Sequence, residues 1–122
     1  MRAAGLHAIA TVLDTEAVLI RSTNPKHPHL TPLIDLITRR IAGVIAATKY
    51  VSCQYNIRRE LLPAATKITP GRRAPTISPL EENDWVAVSA MVEKKHSAKV
   101  MDELVAIGAE DVLVFNLDNC RV

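Results

Sequence analysis

The sequence predicts an α+β fold of the ferredoxin-like, split βαβ kind over 49–122, and three observations carry that prediction. From Lys49 onward the signals run strand, helix, strand, strand, helix, strand. The segment Pro75 to Leu80 holds Pro75 and Pro79, and proline has no N–H to give to a ladder, so this strand belongs at a sheet edge. Right-handed crossovers in this arrangement give the spatial order fourth, first, third, second, which puts the proline-bearing second strand at an edge. Residues 1–48 form a separate segment, predicted as strands and a helix packed against a larger body.

In chain order, Met1 to Leu6 reads as the last turn of a helix capped by Gly5, so the chain starts as if cut from something longer. Ala8 to Ile20 is rich in Ile, Val and Leu with a break at Asp14 to Glu16, which predicts two short strands or one bent strand. Thr31 and Pro32 read as an N-cap and first helical residue. Leu33, Ile34, Ile37, Ile41, Val44 and Ile45 then recur at helical spacing and predict a long helix to Thr48.

Lys49 to Asn56 predicts a strand and Arg58 to Lys67 a helix burying Leu61, Leu62 and Ala65. Pro63 is tolerable there if it falls in the first turn. Ala74 to Leu80 is the proline-flanked strand and Glu81 to Asp84 a hairpin loop. Trp85 to Glu93 alternates Val86, Val88, Ala90 and Val92 against Trp85, Ala87, Ser89 and Met91, the mark of a sheet with two unlike faces. Ser97 is positioned to cap a helix with the core stripe Val100, Met101, Leu104 and Val105, Gly108 closes it, and Asp111 to Leu117 is the last strand.

Composition narrows the function. A net charge of +2, from 15 basic and 13 acidic side chains, does not call for a polyanionic partner, and an aromatic content of 3% is poor material for stacking bases. No apolar run approaches the roughly 20 residues that span a bilayer. Cys53 and Cys120 lie far apart in no metal-type spacing, and the start of the chain lacks a secretory pattern, so a cytoplasmic location with free thiols is expected. No Gly-rich phosphate loop and no Ser, His and Asp set stands out, so no catalytic residue is assigned. His27 and His29, two apart beside prolines, read as solvated loop and not as metal ligands. Arg58-Arg59, Arg72-Arg73 and Lys94-Lys95 sit at element boundaries, where basic pairs are ordinarily solvated.

The motifs ITPG at Ile68 to Gly71, PTISPL at Pro75 to Leu80, DWVAV at Asp84 to Val88 and MDELVAIGAEDVLV at Met101 to Val114, with Tyr50, resemble the C-terminal regulatory domain of long-form ATP phosphoribosyltransferases. Residues 1–48 resemble the end of that family's two-lobed catalytic region. The resemblance implies a glycosyltransferase of histidine biosynthesis, joining ATP to phosphoribosyl pyrophosphate with Mg2+, inhibited by L-histidine and self-associating as dimers and hexamers. It places the phosphate-gripping loop before Met1, so this chain alone is expected to lack catalysis, and no magnesium ligand falls on it. Carried over position by position, the effector residues fall on Asn56, Arg72, Thr76, Met91 and Asp111. Asn56 stands where some members have aspartate, which removes a charge-assisted bond unless Asp111 restores it. The competing reading is a free-standing ferredoxin-like small-molecule-binding module. An RNA-binding domain of the same topology ranks last, because Tyr50, Tyr55 and Trp85 lack the surrounding basic and glycine pattern.

Overall fold

The computed structural model describes residues 5–121. Met1 to Ala4, where the end of a helix was expected, lie outside the described residues; Gly5 has a φ of +68°. In chain order the elements are α1 (Thr31–Lys49), β1 (Tyr50–Arg58), α2 (Leu62–Ile68), β2 (Thr76–Pro79), β3 (Trp85–Glu93), α3 (Ser97–Ala106) and β4 (Glu110–Asn116). The four strands form one antiparallel sheet in the order β2-β3-β1-β4, the order expected from the crossover rule.

Each helix is entered through a three-residue 3-10 turn, at Pro28–Leu30, Arg59–Leu61 and Lys94–His96. This overturns two capping assignments. Because the turn already carries helical backbone, Thr31 and Ser97 lie inside their helices, and neither helix has a side-chain cap. The Ser97 hydroxyl instead donates back to the Lys94 carbonyl at 2.9 Å. The same device accommodates Pro63: α2 starts only at Leu62, so the proline falls in the first turn, where its missing N–H costs nothing. β1 correspondingly runs two residues past Asn56, and Ile57 becomes a core residue with no exposed surface.

The alternation expected of β3 is present: Val86, Val88, Ala90 and Val92 are buried, while Trp85, Ala87, Ser89 and Met91 are half-buried on the other face. β1 repeats the pattern with Val51, Cys53, Tyr55 and Ile57. These two central strands, with Ala65 of α2, Val100 and Leu104 of α3, and Ala109, make the core. Each Val, Leu or Ile side chain among them contributes about 1.5–3 kcal/mol on burial. Val105, assigned to the α3 stripe, is 60% exposed and lies beside the core, not in it. Gly108, at a φ of +94°, ends α3 as expected, its N–H bonded to the Val105 carbonyl.

Tyr55 shows how a polar atom is tolerated in that core. Its hydroxyl lies 2.7 Å from Thr69 Oγ1, and the Thr69 hydroxyl donates to the Ala65 carbonyl at 3.1 Å. Since the one Thr69 proton is used on Ala65, the Tyr55 O–H is the donor to Thr69. Among the described residues no buried side-chain nitrogen or oxygen lacks a partner.

The strand expected at Ala8 to Ile20 is not formed. No described residue pairs with it, and its apolar side chains are exposed, Ile9 at 91% and Val12 at 98%. The α1 helix does form, but only Gly43 and Ala47 are buried, so its apolar stripe lies largely uncovered. The chain end is tied to α1 instead: the Cys120 N–H donates to the Gly43 carbonyl at 3.0 Å, and Arg121 Nη1 donates to the Arg39 carbonyl at 3.2 Å.

β2 is shorter than expected, four residues against seven, and its prolines have a definite orientation. The Leu80 N–H turns inward to the Trp85 carbonyl at 3.3 Å. By the two-residue period of a strand, positions 75, 77 and 79 therefore turn outward, and of these only Ile77 carries an N–H.

Candidate functional site

With α2 and α3 covering one side of the sheet, the other side is open and carries Ser52, Gln54 and Asn56 of β1, Ser89 and Met91 of β3, Thr76 and Ser78 of β2, and Leu113 and Phe115 of β4. Two adjoining hollows lie on this side. The smaller, of about 240 Å3, is lined by Asn56, Thr76, Asp111, Gln54 and Ser89 among others. The larger, of about 660 Å3, is lined by Arg72, Arg73, Met91, Ser52 and Arg121 and shares Thr76 and Ser89 with the first. The five residues singled out from sequence are thus divided: Asn56, Thr76 and Asp111 meet in one hollow, while Arg72 and Met91 belong to its neighbour.

Asn56 and Asp111 are in direct contact. Asn56 Nδ2 donates to Asp111 Oδ2 at 3.0 Å across the 55 residues that separate them in sequence. A carboxylate only accepts, so the amide orientation follows from the chemistry. Local backbone brings them together. The β1–β4 register slips by one residue between Gln54 and Asn56, where Gln54 faces Leu113 but Asn56 faces Glu110. Asp111 absorbs the extra residue at a φ of +50°, the only positive φ among described non-glycine residues. A bulge with its residue in the left-handed region re-aims that side chain, and aspartate is one of the few residues that tolerate it.

Arg72 and Arg73 are set by a tight turn at Gly71, whose φ is +63°; a Cβ there would come within 3.2 Å of the Ala74 backbone. Arg72 lies over the Tyr50 ring at 5.9 Å, and Arg58 covers the Trp85 ring at 5.5 Å. Tyr55 points into the core and is 2% exposed, which removes one of the three aromatics a base-stacking surface would need. His27 and His29 touch edge to face with ring centroids 5.7 Å apart. Among the described residues no group of three or more His, Cys, Asp or Glu side chains is arranged to hold a metal ion.

Sequence reading missed Ser89, Ser52 and Arg121. The period of β3 puts Ser89 on the face of Met91 and Trp85, and that signal was available. Arg121 lies past the last strand, where no periodicity speaks.

The fold and its open polar face define a ferredoxin-like α+β module. A family model described as HisG, C-terminal domain, matches residues 47–119, and the chain belongs to that family. Over 122 residues it is 59% identical to the ATP phosphoribosyltransferase of Yarrowia lipolytica, 57% to that of Kluyveromyces lactis and 54% to that of Saccharomyces cerevisiae. Each alignment covers 100% of this chain and 40% of the relative, so the chain spans about 40% of the length of the curated relatives it matches. No helix of the described residues is long and apolar enough to cross a membrane.

Proposed function

We propose that this chain is a C-terminal part of an ATP phosphoribosyltransferase, an enzyme of histidine biosynthesis, and that it carries the feedback site for L-histidine in a cytoplasmic, self-associating protein. The observation that carries the reading is the 3.0 Å contact of Asn56 with Asp111 in a hollow shared with Thr76. Asn56 alone lacks the charge that the resemblance asks of its position. Held against Asp111, it belongs to a pair with one formal negative charge, able to accept from an ammonium or imidazole N–H. Thr76 and Ser89 supply hydroxyls for a carboxylate, and Arg72 and Met91 approach from the adjoining hollow. Leu113 and Phe115, each about half exposed beside the site, are the apolar surface that a second subunit would cover. The phosphoribosyl transfer itself, with its ATP, phosphoribosyl pyrophosphate and magnesium, belongs to residues other than these.

Calorimetric titration of the folded chain with L-histidine tests the reading, with sedimentation to establish its assembly. Saturable heat is expected from the parent, weakened at least about tenfold in Asp111→Ala, the loss of one charge-assisted bond. Absence of heat from the folded, assembled parent would refute the sensing role, and an unchanged affinity in Asp111→Ala would remove the compensation by Asp111.

A further inference from the structure

The larger hollow gathers more positive charge than the single carboxylate of an amino acid requires. Arg72, Arg73 and Arg121 all line it, and no Asp or Glu does. None of the three forms an ion pair among the described residues, although Arg21, Lys95 and Lys99 elsewhere do. Arg121 Nη1 is taken up by the Arg39 carbonyl and by Asn119 Oδ1, which leaves its Nε and Nη2 without a partner among the described residues. Ser52, Thr76 and Ser89 add three hydroxyls to the same wall. Three like charges gathered without a carboxylate repel one another, and an arrangement of this kind is relieved by a polyanion more than by a single carboxylate. Guanidinium forks match the paired oxygens of a phosphate. At about 660 Å3 the space falls within the ordinary range for small-ligand pockets.

We propose that this hollow is a second binding site, distinct from the Asn56 and Asp111 hollow, for an oxyanion of the phosphate class bearing two or more negative charges, held by Arg72, Arg73 and Arg121. The two sites share the wall made by Thr76 and Ser89, so occupancy of one bears on the other. The inference does not rest on the histidine reading: a chain indifferent to histidine still has the three arginines in one hollow.

Inorganic pyrophosphate is the probe, titrated into the 122-residue chain in parallel with orthophosphate, sulfate and L-histidine. Pyrophosphate is expected to bind more tightly than sulfate, with an affinity that falls as salt is raised. Arg73→Gln removes an exposed side chain that makes no other hydrogen bond or ion pair among the described residues, and is expected to weaken pyrophosphate at least about fivefold while leaving thermal stability unchanged. Arg121→Gln is expected to weaken it as well, and Asp111→Ala to leave it unaffected. No saturable pyrophosphate binding by the folded parent, or the parent's affinity in folded Arg73→Gln and in the double variant Arg72→Gln with Arg73→Gln, would overturn the proposal. Loss of pyrophosphate binding in Asp111→Ala would also overturn it, by making the two hollows one site. Histidine heat without pyrophosphate heat leaves the sensing role standing and refutes this one, and the reverse result does the opposite.

Discussion

Replacing Tyr55 with phenylalanine and Thr69 with valine removes the same hydrogen bond from opposite ends, and the structure predicts unequal costs. Both residues are almost wholly buried, at 2% and 0% exposure, and the Tyr55 O–H donates to a Thr69 oxygen whose own proton goes to Ala65. Tyr55→Phe keeps the ring packing and leaves Thr69 with its donor bond made, so it costs about 0.5–1.5 kcal/mol. Thr69→Val keeps the shape of the side chain but strands a buried phenolic O–H, which costs about 1–3 kcal/mol. The Ala65 carbonyl is spared in both, because the Thr69 N–H also donates to it at 3.0 Å. The double variant has no stranded group and is expected to cost less than the two singles added together, with a coupling of about 1 kcal/mol. Urea unfolding at neutral pH and fixed protein concentration, with the slope unchanged across the four proteins, measures all three quantities. A Tyr55→Phe cost equal to or above that of Thr69→Val, or strict additivity, would refute the assigned direction of the bond.

The same core dictates alkaline behaviour. Burial pushes the Cys53 thiol and the Tyr55 phenol above their ordinary values of 9.0 and 10.0. The unfolded chain ionises first, so stability is fully present below pH 9.0, then declines as pH climbs through 9.0 and 10.0 until the folded groups titrate. Urea midpoints followed up the pH scale are expected to show this decline, with its upper part flattened in Tyr55→Phe. In Gly43→Ala a Cβ would clash with Arg121 Nη1 and crowd Asn119 Oδ1, both at the ends of movable side chains of the tail. The tail is therefore expected to give way while α1 gains about 1 kcal/mol of helix propensity, read as faster amide exchange at Cys120 without a lower melting temperature.

Much of the sheet was legible because its physics is local. The two-residue period of β3, the prolines of Pro75 to Leu80 and the Gly108 stop are properties of short stretches, and each stands where it was read. The capping by Thr31 and Ser97 was misread because a capping residue and the first residue of a helix entered through a 3-10 turn have the same composition. Ala8 to Ile20 has the side chains of strands, yet a strand exists only with a partner, and hydropathy cannot supply one. In the candidate site, Asn56, Thr76 and Asp111 came from the family resemblance, but the bulge that aims Asp111 was not legible, since no glycine marks the position. Arg121 depended on how the tail folds back on α1, a contact across about eighty residues of sequence.

The outward-turned prolines of β2 bear on how this protein behaves at high concentration. Of the two sheet edges, the β2 side offers a single N–H donor to a newcomer, that of Ile77, while β4, Glu110–Asn116, contains no proline and is unpaired on its far side among the described residues. A sheet with two open edges can recruit copies at both ends and grow into a fibre. Two copies that met β4 to β4 would present β2 at both outer margins, where a third would find no continuous ladder to join.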